Sequence, residues 1–193
     1  MDTEVEIKFV KINHDEIRKK LLNINASLLS PMRLMRRVII ETAELKANNA
    51  FIRIRDEGDK TTITYKQFNE LSVDGAKEIE IVVDDFQKAI DLFDRAGLKY
   101  KSFQESKRET WKLDDTEILL DLWPWLEPYI ELEGPNEDRL KSVANKLNLN
   151  WEDGVFGDVM VAYQNQYPNL SKNDTVANLK SVKFSDPLPD FLK

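Results

Sequence analysis

Like-charged residues two apart recur along this chain inside otherwise apolar runs: Glu4 and Glu6, Arg53 and Arg55, Glu78 and Glu80, Glu131 and Glu133. On a β-strand, residues two apart share a face. Each run therefore sorts into a charged face and an apolar one, with Val5, Ile7 and Phe9 opposing Glu4, Glu6 and Lys8, Ile52 and Ile54 opposing the arginines, and Ile130 and Leu132 opposing the last glutamates. An antiparallel sheet with one solvated face is the simplest account of such alternation. Like charges grouped at close range repel on an open face, however. They are accommodated if the charged faces meet around a shared interior, where carboxylates bind a divalent cation and basic groups bind an anion bridged to it. A closed barrel of about eight antiparallel strands with a polar lumen meets that requirement and leaves no exposed edge.

The rest of the chain supplies the strands for such a barrel. Alternation predicts strands over 4–10, 34–42, 50–56, 61–68, 77–83, 100–113, 117–123 and 129–133, separated by turn-prone pieces such as Glu57-Gly58-Asp59-Lys60. Asn13 as a cap with Glu16 three residues on predicts a helix to about Asn25, with Ile17, Leu21, Leu22 and Leu28 as its apolar positions and an end before Pro31. Helices are also expected over 84–96, stopped by Gly97, over 136–147, and as a short piece over 157–166. The fold class is thus α+β, a closed eight-stranded antiparallel barrel with flanking helices. Residues 1–167 are expected to form a single domain. Residues 168–193 mix polar residues with prolines and read as a mobile tail or extended arm.

Composition narrows the chemistry. The chain has no cysteine and one histidine, which excludes disulfides, thiolate metal sites and imidazole clusters, so any metal must be held by oxygen. That histidine, His14, reads as a solvated or capping group at the start of the first helix. A net charge of −7, from 28 Lys and Arg against 35 Asp and Glu, argues against general attraction to nucleic acid or an anionic membrane. No apolar run approaches the roughly 18 residues of a membrane helix, and the start MDTEVEIKFV resembles no signal sequence. A cytoplasmic protein is expected, with monomer and homodimer both open.

Taken in order, Glu4-Val5-Glu6-Ile7-Lys8, Ile52-Arg53-Ile54-Arg55, Thr64-Tyr65-Lys66, Glu78-Ile79-Glu80, Lys107-Arg108, Leu120-Asp121 and Tyr129-Ile130-Glu131-Leu132-Glu133-Gly134 resemble the CYTH domains, named from class IV adenylyl cyclase and thiamine triphosphatase, within the triphosphate tunnel metalloenzymes. The resemblance covers about residues 1–167. It implies a tunnel that binds a triphosphate-bearing small molecule together with Mg²⁺ or Mn²⁺. Glu4, Glu6, Glu131 and Glu133 become the metal carboxylates, with Asp121 a further candidate. Arg53, Arg55, Lys66, Lys107 and Arg108 become the phosphate grip, joined by Arg37 if that residue rather than Arg36 faces inward. On a regular strand only one of Lys107 and Arg108 enters the tunnel. Lys8 would orient a phosphate or help activate water, and Lys66 is the other candidate proton acceptor. Glu78 and Glu80 are read as lumen carboxylates that pair with the arginines.

The implied activity is hydrolysis of inorganic tripolyphosphate or a related organic triphosphate. The alternatives are a class IV adenylyl cyclase and a non-catalytic polyphosphate or nucleotide receptor. Class IV cyclases carry a histidine and aromatic motif ahead of their LRIR-like segment, whereas residues 41–51 here read ETAELKANNAF, which counts against cyclase activity. The tryptophans of the Trp123-Pro124-Trp125-Leu126-Glu127-Pro128 connection are open to base stacking, but packing at the barrel rim is the favoured reading.

Overall fold

The computed structural model describes residues 1–68, 72–171 and 174–193. Its elements in chain order are β1 (Asp2–Glu4), β2 (Glu6–Phe9), α1 (His14–Asn23), β3 (Ser27–Ile40), α2 (Ala43–Ala47), β4 (Ala50–Asp56), β5 (Thr61–Phe68), β6 (Ala76–Val83), α3 (Phe86–Arg95), β7 (Ser102–Leu113), β8 (Thr116–Leu122), β9 (Tyr129–Glu133), α4 (Glu137–Lys146), α5 (Met160–Gln166) and β10 (Ser181–Val182). The strands pair in the order β1-β6-β5-β4-β3-β7-β8-β9-β2. Because β1 and β2 are halves of one N-terminal strand interrupted at Val5, the two ends of this path meet and the sheet forms a nearly closed antiparallel barrel.

That interruption explains why more than eight strands are found. Below Val5 the chain pairs with β6, and above it with β9. The edge of β2 turned away from β9 is covered by Val155, which exchanges two backbone hydrogen bonds with Lys8 at 3.0 and 2.9 Å, and by Val73, whose carbonyl accepts from Glu6 N at 2.9 Å. The remaining addition, β10, is a two-residue parallel partner of β7 outside the ring.

The apolar core lies outside the barrel wall. Helices α1 and α4 cover the outer faces of β2, β8 and β9 through Ile17, Leu21, Leu140 and Leu147 against Ile7, Ile118, Leu120, Ile130 and Leu132. Helix α3, capped by the Asp85 side chain on Lys88 N, covers Val38, Ile40 and Ile54 with Ala89 and Ile90. A third cluster joins Trp123 and Tyr129 to α5 and to Val176, Val182 and Leu192 of the C-terminal segment. Lys172 and Asn173 of that segment lie outside the described residues. Apolar outer faces on a sheet that curls on itself leave the charged faces to line the inside.

The structure corrects several sequence expectations. Leu28 belongs to β3, not to α1, and is exposed: β3 starts at Ser27 and runs through Pro31, where register shifts between Leu28 and Arg33 mark a bulge that tolerates the missing N–H. The short helix α2, capped by Thr42, was not foreseen. His14 is buried, and its Nε2 donates to the Tyr129 carbonyl at 2.9 Å, while Asn13 alone caps α1. No helix among the described residues is long and apolar enough to cross a membrane.

Candidate functional site

Strand parity carries the charged positions into one cavity of about 500 Å³. From β3 come Arg33, Met35, Arg37 and Ile39; from β4, Phe51, Arg53 and Arg55; from β7, Gln104, Ser106, Arg108 and Thr110; from β9, Tyr129, Glu131 and Glu133. Glu4, Glu6 and Lys8 enter from β1 and β2, Lys66 from β5, and Glu78 and Glu80 from β6. With the N-terminal strand taken as one, β3 stands across the ring from it and β4 stands across from β9. The lumen is therefore bipolar, with arginines on one wall and carboxylates on the other.

On the carboxylate wall, Lys8 faces Glu131 directly in register. Its Nζ lies 3.0 Å from Glu6 and 3.1 Å from Glu131. Lys66 pairs with Glu4 and stands 3.7 Å from Glu6. Burial alone would lower the Lys8 ammonium, but Glu131 and Glu6 outweigh it and hold it above the usual lysine range. Burial pushes Glu6 up, against the pull of Lys8, whereas Lys8 and Arg108 overcome burial at Glu131 and keep it low. Glu133 is pushed up to about 7 by burial and by the nearby Glu4 and Glu131.

On the arginine wall, Arg37 and Arg55 are cross-strand neighbours. Arg37 donates through Nε to Gln104 Oε1 at 2.9 Å, and its guanidinium lies 4.2 Å from the centre of the Trp123 ring. Arg53 donates to Thr64 Oγ1 at 3.1 Å, and that hydroxyl in turn donates to Glu80 at 2.6 Å. Burial, then Arg53, pulls Arg37 down to about 9 and Arg55 down to about 10, so both stay charged at neutral pH while crowding each other. The Nε groups of Arg53 and Arg55 are buried without a hydrogen-bond partner. Unpaired buried donors among crowded cations are what an anion in this lumen would satisfy.

One expected site residue does not face the lumen, and a second faces it but is covered by its partner. Lys107 points away from the cavity and lies 5.0 Å from the centre of the Phe184 ring, so Arg108 is the inward member of the pair. Asp121, opposite the cavity-lining Arg108 and Tyr129 in register, lies on the inner face of β8 but is fully buried and takes the Arg108 guanidinium bidentately at 2.7 and 2.7 Å. Arg36 lies outside, paired with Asp56. Conversely, Arg33, Glu57 and Gln104 line the cavity without having been singled out. All three share strand parity with recognised neighbours. Pro31 concealed the strand that carries Arg33, and Glu57 was read as part of a turn. Trp123 packs against Tyr129 and α5 and also lines the cavity.

The donor set on the carboxylate wall is all oxygen, which suits a hard divalent cation. Among the described residues no three carboxylates converge on one point, because Lys8 and Lys66 each bridge two of them. Burial, then Glu4 and Glu131, raises Glu133, and a bound cation would favour its ionised form, so the residues fit such an ion in chemistry, with the lysines having to yield.

Comparison with known proteins follows from this geometry. A Methanocaldococcus jannaschii protein named as a candidate adenylate cyclase is 27 % identical over 135 residues, covering 69 % of this chain and 70 % of that one. A crystal structure of a candidate adenylate cyclase from Vibrio parahaemolyticus superposes with a TM-score of 0.71 at 14 % identity, over 83 % of this chain and 97 % of the other. A Hippeastrum protein, described as a candidate adenylyl cyclase with a dominant triphosphatase activity, gives a TM-score of 0.56 at 16 % identity, over 80 % and 91 % of the two chains. The model of the CYTH domain matches residues 2–156, which takes in every strand of the barrel, and the chain belongs to the CYTH family.

Proposed function

We propose that this protein is a divalent-metal-dependent triphosphatase, hydrolysing a phosphoanhydride of inorganic tripolyphosphate or a related organic triphosphate inside the tunnel. The observation that carries the reading is the bipolar lumen, with Arg37, Arg53 and Arg55 facing Glu4, Glu6, Glu131 and Glu133 across the cavity and Arg108 beside Glu131. Phosphoryl transfer needs positioning and charge neutralisation more than covalent help. In this scheme the arginines hold the phosphate chain, and the four glutamates hold Mg²⁺ or Mn²⁺. The bound ion supplies charge neutralisation at phosphate oxygens.

Lys8, held protonated by Glu131 and Glu6, suits orientation of a phosphate better than proton abstraction. Lys66, paired with Glu4 and 3.7 Å from Glu6, is placed for the same orienting role. Asp121 is assigned as a positioning residue for Arg108, and Glu80 as one for Arg53 through Thr64. Glu78, opposite Lys66 in register, is a supporting carboxylate. Residues 1–167 as the catalytic unit and a cytoplasmic setting belong to the same proposal.

Adenylate cyclase activity is the second reading, favoured by the name of the Methanocaldococcus jannaschii relative. A cyclase must also seat a purine and a ribose hydroxyl. One face of Trp123, an aromatic ring at the cavity, is already covered by Arg37, which weakens this reading. The experiment is parallel measurement of phosphate, pyrophosphate and cyclic AMP from tripolyphosphate, ATP and thiamine triphosphate, with Mg²⁺ or Mn²⁺ and with chelator. Metal-dependent phosphate release is expected, greatest from tripolyphosphate. Cyclic AMP with pyrophosphate from ATP would instead establish the cyclase, and no product from any substrate would point to a receptor.

A further inference from the structure

Glu57 stands apart from the other lumen carboxylates. It follows β4, carries the parity of Arg53 and Arg55, and lies on the arginine wall where the hairpin to β5 meets the cavity. It is 4 % exposed. Its carboxylate lies 2.6 Å from Arg55, 3.2 Å from Arg33 and 3.9 Å from Lys60. Arg33 also donates through Nε to the Glu57 backbone carbonyl at 3.0 Å and lies 3.4 Å from the Thr110 hydroxyl. Asp59, on the same hairpin, is exposed at the cavity rim, and Glu80 reaches Arg55 only at 4.0 Å. Three cations thus converge on one buried carboxylate at the mouth of an anion-binding tunnel.

We propose that Arg33, Arg55 and Lys60 form an outer anion subsite whose resident anion is Glu57, to be displaced by a terminal phosphoryl group of a linear polyphosphate. The inference rests on the phosphate-tunnel reading and adds a selection rule to it. A phosphoryl group that carries two negative charges and three acceptor oxygens outcompetes a carboxylate for this cradle, whereas a singly charged diester does not. Gly58, next in the chain, adopts φ +94° with open space around its Cα, so Glu57 stands beside an exposed hairpin tip.

The alternative role for Glu57 is structural support, holding Arg55 and Arg33 in position for a ligand bound deeper inside. The two roles predict opposite signs for one substitution. Glu57→Gln keeps size and hydrogen-bonding shape but removes the charge, and calorimetric titration with inorganic tripolyphosphate in chelator reads the result without turnover. If Glu57 is the resident anion, the variant binds tripolyphosphate more tightly, by on the order of tenfold for loss of one partly buried competing charge. Arg33→Ala and Lys60→Ala bind more weakly than the unmodified protein, and a nucleotide 3′,5′-cyclic diester gains nothing from Glu57→Gln. Melting curves confirm that each variant is folded, and Glu57→Ser repeats the measurement with a smaller neutral side chain. Unchanged or weakened binding in both folded Glu57 variants would overturn the inference while leaving the tunnel reading intact. Binding of tripolyphosphate to neither the unmodified protein nor any of these variants would overturn both.

Discussion

At the residue scale, the site is a set of buried charges that are individually costly and mutually dependent. A buried ion whose partner is removed is left uncompensated, which typically costs 3–5 kcal/mol, more than the pair itself contributes. Glu133→Ala, which removes a carboxylate from a crowded acidic wall, should be tolerated by the fold, whereas Arg55→Ala leaves the buried Glu57 to Arg33 and Lys60 and should cost stability without unfolding the barrel; both should lower kcat/KM by about 100-fold or more. Steady-state kinetics with melting curves test this; near-normal turnover in both would sink the lumen assignment. The raised Glu133 also predicts a pH dependence. A carboxyl that titrates at about 7 must lose its proton before it can ligate a cation. Below that pH the metal has to displace this proton, and above it Glu133 is already ionised, so affinity rises with pH. Mn²⁺ affinity should increase about tenfold between pH 6 and pH 8 from this group alone, and Glu133→Gln should flatten the profile.

At the element scale, the N-terminal strand matters most, because the barrel closes only where β1 and β2 hand over at Val5. The segment that covers the edge of β2 depends on Gly154. A Cβ at that position would run into the Ile7 side chain and sit 3.0 Å from the Trp151 carbonyl. Ile7 is fully buried under α1 and α4 and cannot move aside cheaply. Gly154→Ala should therefore destabilise the fold by about 1–3 kcal/mol, as overpacking does, seen as a lower urea midpoint at unchanged m-value. Strands whose two faces differ sharply, such as β4, β5 and β9, were delimited by sequence to the residue. The start of β3 was not, because Pro31 ordinarily ends regular structure and only the pairing with β7 shows that it sits in a bulge.

At the scale of the whole molecule, helices and the C-terminal segment pack on the outside of a barrel whose inside is polar, so stability and chemistry occupy different surfaces of the same strands. The C-terminal segment contributes to both. Val176, Val182 and Leu192 are buried against α5 and the barrel end, while Thr175, Val176 and Ala177 form part of the cavity wall. Removing residues 168–193 should lower stability, because it uncovers the apolar surface that Val176, Val182 and Leu192 bury. The truncated chain should still show the circular dichroism of the barrel, at a lower melting temperature. A chain that cannot fold without the segment would show that 1–167 is not an independent unit.

Period-two alternation, which is local, was enough to place most lumen residues, since a strand sends every second side chain to the same side wherever the strand lies. It set Glu4 with Glu6, Arg53 with Arg55 and Glu131 with Glu133 on one face of their strands before any contact was known, while Lys66 came from the family resemblance. Pairing across the ring is non-local, and only the tertiary structure decided which charges meet. It turned Arg108 inward and Lys107 outward, set Asp121 behind Arg108 as an anchor, buried His14 against Tyr129, and surrounded Glu57 with cations. These outcomes depend on register between strands far apart in sequence, and register follows from the closure of the barrel as a whole.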